Sequence, residues 1–160
     1  MAYDARWPAH FETAASKLRE ALGPSALAVH HVGSTSVPGL CAKPILDILV
    51  SIADFDAGLE LVPVLESLGY EFGPDDEIPD RHYFRRHIGT VRTHHLSLAE
   101  PASRHHEETL AFRDALRRNA QLATTYAELK LILAGAFPLD RPAYQEGKSE
   151  FIDDVLAGRL

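Results

Sequence analysis

Asp47 stands in the middle of an apolar run, PILDILV, directly after a turn rich in glycine and hydroxyl groups, HHVGSTSVPGLCAK at residues 30–43. A carboxylate buried without partners is costly. Asp47 therefore meets a cation or hydrogen-bond donors, or it faces an open cleft; a structural ion pair is the plainer alternative. In the turn, Gly33 and Gly39 permit tight backbone conformations, and Ser34, Thr35 and Ser36 bring hydroxyls. N–H groups exposed in such a turn, or at the start of a short helix, cradle anions. Lys43 adds a positive charge. A simple capped turn fits the same residues. The spacing excludes a Walker loop, because five residues separate Gly33 from Gly39 and Lys43 is not followed by Ser or Thr. The nucleophile elbow G-x-S-x-G is absent.

A second chemical cluster lies downstream. Six of the nine histidines fall between His82 and His106, among Arg81, Arg85, Arg86, Arg92 and Arg104. Arginine offers bidentate geometry to phosphate or carboxylate, so Arg81, Arg85 and Arg92 are candidate ligand-binding residues. The bland reading is a charged strand edge that discourages sheet-to-sheet pairing. His94 and His95 are adjacent on an extended segment and point to opposite faces, whereas His95 and Ser97 share one. Imidazole titrates near neutrality, which makes His95 a candidate base or ligand. Of His30 and His31, one faces the core and the other the cleft. His105 and His106 read as solvated, and Arg113, Arg117, Arg118 and Lys130 as a charged helix face. A catalytic zinc site is a distant third possibility, since H-E-x-x-H spacing is missing.

The elements that must position these groups follow from periodicity. At 160 residues, one domain over 1–160 is expected, and a chain of about 150 residues buries roughly 68–70% of its unfolded surface. The single Cys41 has no disulfide partner. MAYDARWPAHFE lacks the apolar core of a signal peptide, and no apolar run reaches the roughly 18 residues of a membrane span. These features lead to the expectation of a cytoplasmic protein that does not associate with membranes. A net charge of −7 gives no strong nucleic-acid signal but leaves room for a local basic site.

Phe11, Ala14, Ala15, Leu18 and Leu22 recur at helical spacing, and Gly23-Pro24 ends that helix. LAVHHVG and PILDILVSI read as strands, followed by a helix with Leu61, Val62, Leu65 and Leu68 on its core stripe. YEFG is a short strand and GPDDEIPD an exposed acidic loop. RHYFRRH and RTHHLSLAE form a hairpin around IGTV. Three helices close the chain. The order does not alternate as in a doubly wound sheet. It fits an α+β (mixed α/β) fold: a mixed β-sheet with helices packed mainly on one face, a helical C-terminal tail and the other face open to a ligand. On the strand, Ile45, Asp47 and Leu49 share one side.

The run HHVGSTSVPGLCAKPILDILV resembles the signature of the GrpB family. YDARWPAHF, RHYFRR, RTHHLSL, LAFRDALRRN, YAELK and AYQEGKSEFI extend the resemblance over nearly the whole chain. It implies a nucleotidyltransferase-like fold, in which a glycine-serine pair holds nucleotide phosphates and an Asp-x-Asp/Glu strand, completed by a third carboxylate, binds divalent metal. Gly33 and Ser34 match the pair and Asp47 the first carboxylate; Leu49 replaces the second. Two cations about 3.5–4 Å apart need more hard oxygen ligands than Asp47 supplies. Glu71, Asp75, Asp76, Glu77 and Glu100 are distant acids that could help. One Mg²⁺ or Mn²⁺ at Asp47, or none, is expected. Ser97 takes a position at which the resemblance implies histidine. The resemblance also implies an association with dephospho-CoA kinase, to which this family is fused in some bacteria.

Two readings remain open. The first is a nucleotidyltransferase-like enzyme that binds a nucleotide or other phosphorylated small molecule and transfers a nucleotidyl or phosphoryl group, with Asp47 and His95 catalytic. The second is a catalytically degenerate ligand-binding or accessory module linked to coenzyme A metabolism.

Overall fold

Five strands and five α-helices follow one another in the order expected from periodicity in this computed structural model, which describes residues 1–74 and 76–160. Asp75, one of the distant acids considered above, lies outside the described residues. The strands are β1 (Ala28–Val32), β2 (Leu46–Ser51), β3 (Tyr70–Gly73), β4 (His82–Ile88) and β5 (Val91–Ala99). They form one sheet in the order β1-β2-β5-β4-β3. The pairing of β2 with β5 is parallel; the others are antiparallel. The helices are α1 (Trp7–Leu22), α2 (Val62–Ser67), α3 (Arg104–Arg118), α4 (Ala120–Ala136) and α5 (Arg141–Leu156). Where one helix was expected around residues 56–68, a 3₁₀ turn at Asp56–Leu61 precedes α2.

Alternation along the strands sorts the side chains into two layers. Ile48 and Val50, Leu96 and Leu98, Phe84 and Tyr70 point to one face. They pack against Phe11, Ala14, Ala15, Leu18 and Leu22 of α1 and Leu65 of α2. Fully burying such a side chain stabilises by about 1.5–3 kcal/mol, so this layer anchors the sheet.

The opposite face is divided. At one end, Leu49 of β2, Val32 of β1 and Ala99 of β5 are covered by Leu110 of α3. Ser103 caps α3 by accepting from His106 N–H. A separate apolar cluster ties the closing helices to the turn after β1: Val37 and Leu40 pack with Leu116, Leu122, Tyr126, Phe151 and Val155. Towards the other end of the same face stand Asp47, His95, Tyr83 and Arg85, which share it by register and are only partly buried. Among the described residues no helix is long and apolar enough to cross a membrane.

Candidate functional site

Asp47 and His95 are register partners on the parallel pair β2 and β5. His95 Nδ1 donates to Asp47 Oδ1 at 3.0 Å. That bond orients the ring and leaves Nε2, which is buried without a partner among the described residues. An imidazole held by a carboxylate through Nδ1 presents Nε2 as a proton acceptor. Tyr83 on β4 lies beside it, with ring centroids 5.7 Å apart.

The turn after β1 closes over this dyad. Gly33 has φ 71°, a left-handed conformation that glycine adopts freely. A Cβ at this position would fall 2.8 Å from Asp47 Cβ and Cγ, and closer still to Oδ2. The next three residues form a 3₁₀ turn and separate in role. Ser34 Oγ accepts from Lys130 Nζ of α4 at 2.9 Å. Thr35 is buried, its Oγ1 2.9 Å from His31 Nε2. Ser36 Oγ donates to Gly33 O. Of the three hydroxyls expected to meet a ligand, only that of Ser34 turns toward the site.

The closing helices supply groups that the sequence reading placed on a charged face. Lys130 Nζ also donates to Cys41 O at 3.0 Å. Arg113 Nη1 donates to His31 O at 3.1 Å, and Arg117 Nε to Ser36 O at 2.9 Å, so α3 clasps both ends of the turn. Lys148 of α5 lies 4.6 Å over the Tyr144 ring. Burial is the largest influence on its ammonium and pulls its pKa down to about 8; Lys130, Lys43 and Arg141 push the same way, while Asp47 opposes. Lys130 is also lowered, by burial first. Lys43 itself is exposed at the margin. Signals for these lysines are faint in the sequence, because α4 and α5 reach the turn only through the tertiary fold.

The arginines divide as well. Arg81 is bound to Asp76 through Nε and Nη2 at 2.6 and 2.8 Å, and its guanidinium carbon lies 4.4 Å over the Tyr83 ring. Arg85 sits 6.0 Å over the same ring, and Arg92 lies within its electrostatic reach.

Among the histidines, His30 faces α3, with Nε2 3.3 Å from Ser51 Oγ, which is in turn 2.7 Å from His106 Nε2. His31 faces the α1 side, stacked on Phe11. The solvated positions expected for His105 and His106 are corrected by the fold: His106 is buried, and burial lowers the pKa of His105 to about 4. The cap at Ser103 turns the first residues of α3 inward.

The donor set does not fit a two-metal pair. Leu49 is fully buried beneath α3 where a second carboxylate would stand, and His95 is the register partner of Asp47. Among the described residues no three His, Cys, Asp or Glu side chains converge on one point. Of the distant acids, Asp76 is committed to Arg81, and Glu100 accepts from Phe55 N–H at 2.6 Å. Beside the turn, a cavity of about 270 Å³ opens between Gly33, Ser34, the α3 side chains Phe112 and Arg113, and Tyr126.

Comparison with known proteins places this arrangement. The family model described as GrpB protein matches residues 1–158. A UPF0157 protein of Pseudomonas aeruginosa is 41% identical over 160 residues, covering 98% of this chain and 65% of the relative. The UPF0157 protein YqkA of Bacillus subtilis is 35% identical, covering 94% of this chain and 43% of the relative. The chain thus spans less than two thirds of the length of both relatives. A dephospho-CoA kinase of Mycolicibacterium paratuberculosis is 40% identical over 70 residues, 17% of that kinase. The crystal structure of GrpB from Enterococcus faecalis superposes with a TM-score of 0.86 at 34% identity, covering 99% of this chain and 98% of that one. The Cid1 poly(U) polymerase bound to MgATP superposes at 0.61 and 16% identity, over 91% of this chain and 50% of the polymerase. That likeness is one of fold: the chain shares its architecture with half of the polymerase.

Proposed function

The chain belongs to the GrpB family, and on that premise we propose that it binds a nucleotide or similar phosphorylated small molecule at the Gly33–Ser34 turn and transfers its nucleotidyl or phosphoryl group to a hydroxyl acceptor. The observation that carries this reading is the charge balance beside Ser34. Lys148 feels Lys130, Lys43 and Arg141, with Asp47 as the opposing carboxylate. Lys130 and Lys148 form no ion pair among the described residues. Partly buried ammonium groups left in excess of carboxylate are compensated by an anion. The cavity walled by Phe112 and Tyr126 takes the non-phosphate portion of the ligand.

In the transfer, the acceptor O–H gives its proton to His95 Nε2 while its oxygen bonds to phosphorus. The P–O bond to the leaving group breaks, pyrophosphate in nucleotidyl transfer from a nucleoside triphosphate and the nucleoside diphosphate in phosphoryl transfer, and its electron pair stays on that group. The Lys130 and Lys148 ammonium groups offset the charge that develops there, and Asp47 stabilises the imidazolium. Mg²⁺ or Mn²⁺ is not needed for binding on this reading, since the donor set does not fit a metal pair. The buried Leu49 favours a second reading, a module that binds the same ligand without turnover, in support of an enzyme such as dephospho-CoA kinase.

Calorimetry with ATP, CTP and coenzyme A, each with Mg²⁺ and with EDTA, tests the proposal. Binding of one of them persists in EDTA and weakens at least tenfold in Lys148→Met or Lys130→Met. It also declines as pH rises through about 8, where Lys148 loses its proton. Asp47→Asn retains binding and loses turnover. Unchanged affinity in both lysine variants sinks the reading; binding without turnover against any acceptor decides for the module.

A further inference from the structure

Among the described residues, Arg85 and Arg92 on the open sheet face have no carboxylate partner. Arg81 is neutralised by Asp76, but Arg85 and Arg92 form no ion pair among the described residues. Glu71, the register partner of Arg85, is exposed, and its carboxylate lies 3.7 Å from His87 instead. The Arg85 guanidinium lies beside Gly73, whose added Cβ would be in ordinary van der Waals contact with Nη2 at 3.7 Å.

The position of Arg92 is set by an irregularity in the sheet. Strict alternation would put Arg92 on the α1 face with His94. The β4–β5 register shifts between Arg86 and His87, so that His94 pairs with Arg86 while Arg92 pairs with His87. Thr93 is the extra residue of this bulge, and its Oγ1 donates to Arg86 O at 3.3 Å. Bulges re-aim side chains in this way. By register, Arg92 joins Arg85 on the face of Asp47 and His95. Tyr83 lies within reach of both arginines and of Asp47, and burial, the largest influence on its phenol, raises its pKa and keeps it a hydrogen-bond donor.

We propose that Arg85, Arg92 and the Tyr83 hydroxyl form a second anion subsite, separate from the lysine subsite at Ser34, and that it holds the phosphomonoester of the acceptor. Two guanidinium groups without an ion pair among the described residues match a dianion, and each offers a planar fork to phosphate oxygens. The Tyr83 ring is 5.7 Å from that of His95. A group held there lies on the sheet face of His95, and on this proposal its hydroxyl, a few bonds away, reaches the Nε2 that is buried in the free protein. The acceptor is thus a small hydroxyl-bearing phosphomonoester rather than a neutral alcohol. Its acceptor role rests on the transfer reading above; the anion subsite itself does not.

Titration of inorganic phosphate into ATP-saturated protein, followed by calorimetry, separates the two. Wild type binds phosphate at one further site. Arg85→Gln and Arg92→Gln each weaken it at least tenfold, Arg92→Lys less, and Arg118→Gln, an exposed cation on α3, leaves it unchanged. Circular dichroism checks that each variant folds; should Arg85→Gln fail, Arg92→Gln carries the test. Absence of phosphate binding while ATP binds normally overturns the subsite and spares the function proposed above. Phosphate binding retained equally by all variants is surface attraction and also overturns it. If ATP does not bind but the free protein takes up phosphate in an Arg92-dependent manner, the transfer reading fails and the subsite stands.

Discussion

At Gly33 two constraints meet in one residue: the backbone is left-handed, and it lies directly against the Asp47 carboxylate. A side chain there is strained by φ 71° and collides with the group that orients His95. Gly33→Ala is expected to destabilise the fold by about 1–3 kcal/mol and to weaken ATP binding, because the turn must lift away from β2. Urea unfolding measures the first effect and calorimetry the second. A loss below about 0.5 kcal/mol with ATP affinity retained would mean that the turn has slack and that Asp47 does not depend on it. The neighbouring hydroxyls show the limit of residue types as signals. Ser34, Thr35 and Ser36 look equivalent in sequence, yet a 3₁₀ turn rotates successive side chains by roughly 120°. One therefore meets Lys130, one His31 and one the backbone of Gly33.

Among the elements, α3 decides what β2 can do. Leu110 seals Leu49 against Val32 and Ala99, so the position two residues after Asp47 belongs to the core and not to the site. Leu49→Asp restores the Asp-x-Asp pattern on paper. It is expected to destabilise the protein by about 3 kcal/mol or more, as an unpaired carboxylate enters an apolar cluster, and to confer no Mg²⁺ dependence on ATP binding. Thermal melts with and without Mg²⁺ decide: a variant that Mg²⁺ stabilises strongly would contradict the expectation. Strand alternation made Asp47 and Leu49 legible as neighbours on one side of their strand, and His95 and Ser97 on one side of theirs, because a two-residue period leaves no choice of side; that the two pairs share a face follows from the parallel register of β2 and β5. Two features escaped that reading. The bulge at Thr93 breaks the period and moves Arg92 to the open face. Lys130 and Lys148 depend on how α4 and α5 rotate about their own axes, which is set by Tyr126 and Phe151 packing on Val37 and Leu40.

Across the whole molecule, the buried histidines tie the layers together and set a pH limit. His31 stacks on Phe11 between β1 and α1, His94 lies against Tyr70 on the α1 side of the sheet, and His105 opens α3 near Arg81 and Asp80. Burial is the first cause in each case and lowers all three from 6.5 to about 4. Cations add to it: Arg117 and Arg113 at His31, Arg86 at His94, Arg81 at His105, with Asp47 opposing at His31 and Asp80 and Asp76 at His105. Because the folded values lie below the unfolded one, the unfolded chain takes up protons that the folded chain refuses. The stabilisation is complete above pH 6.5 and is lost as pH falls toward 4. Three full protons would give a slope of about 4 kcal/mol per pH unit. Each ring retains some solvent, so about 1–2 kcal/mol per unit is expected between pH 6.5 and 5, a window in which ordinary carboxylates stay ionised. Urea midpoints across that window measure it, and His94→Phe, which removes a titrating group on the α1 side of the sheet, should flatten the slope. A midpoint independent of pH from 6.5 to 5 would show that these rings protonate without opening the layers they join.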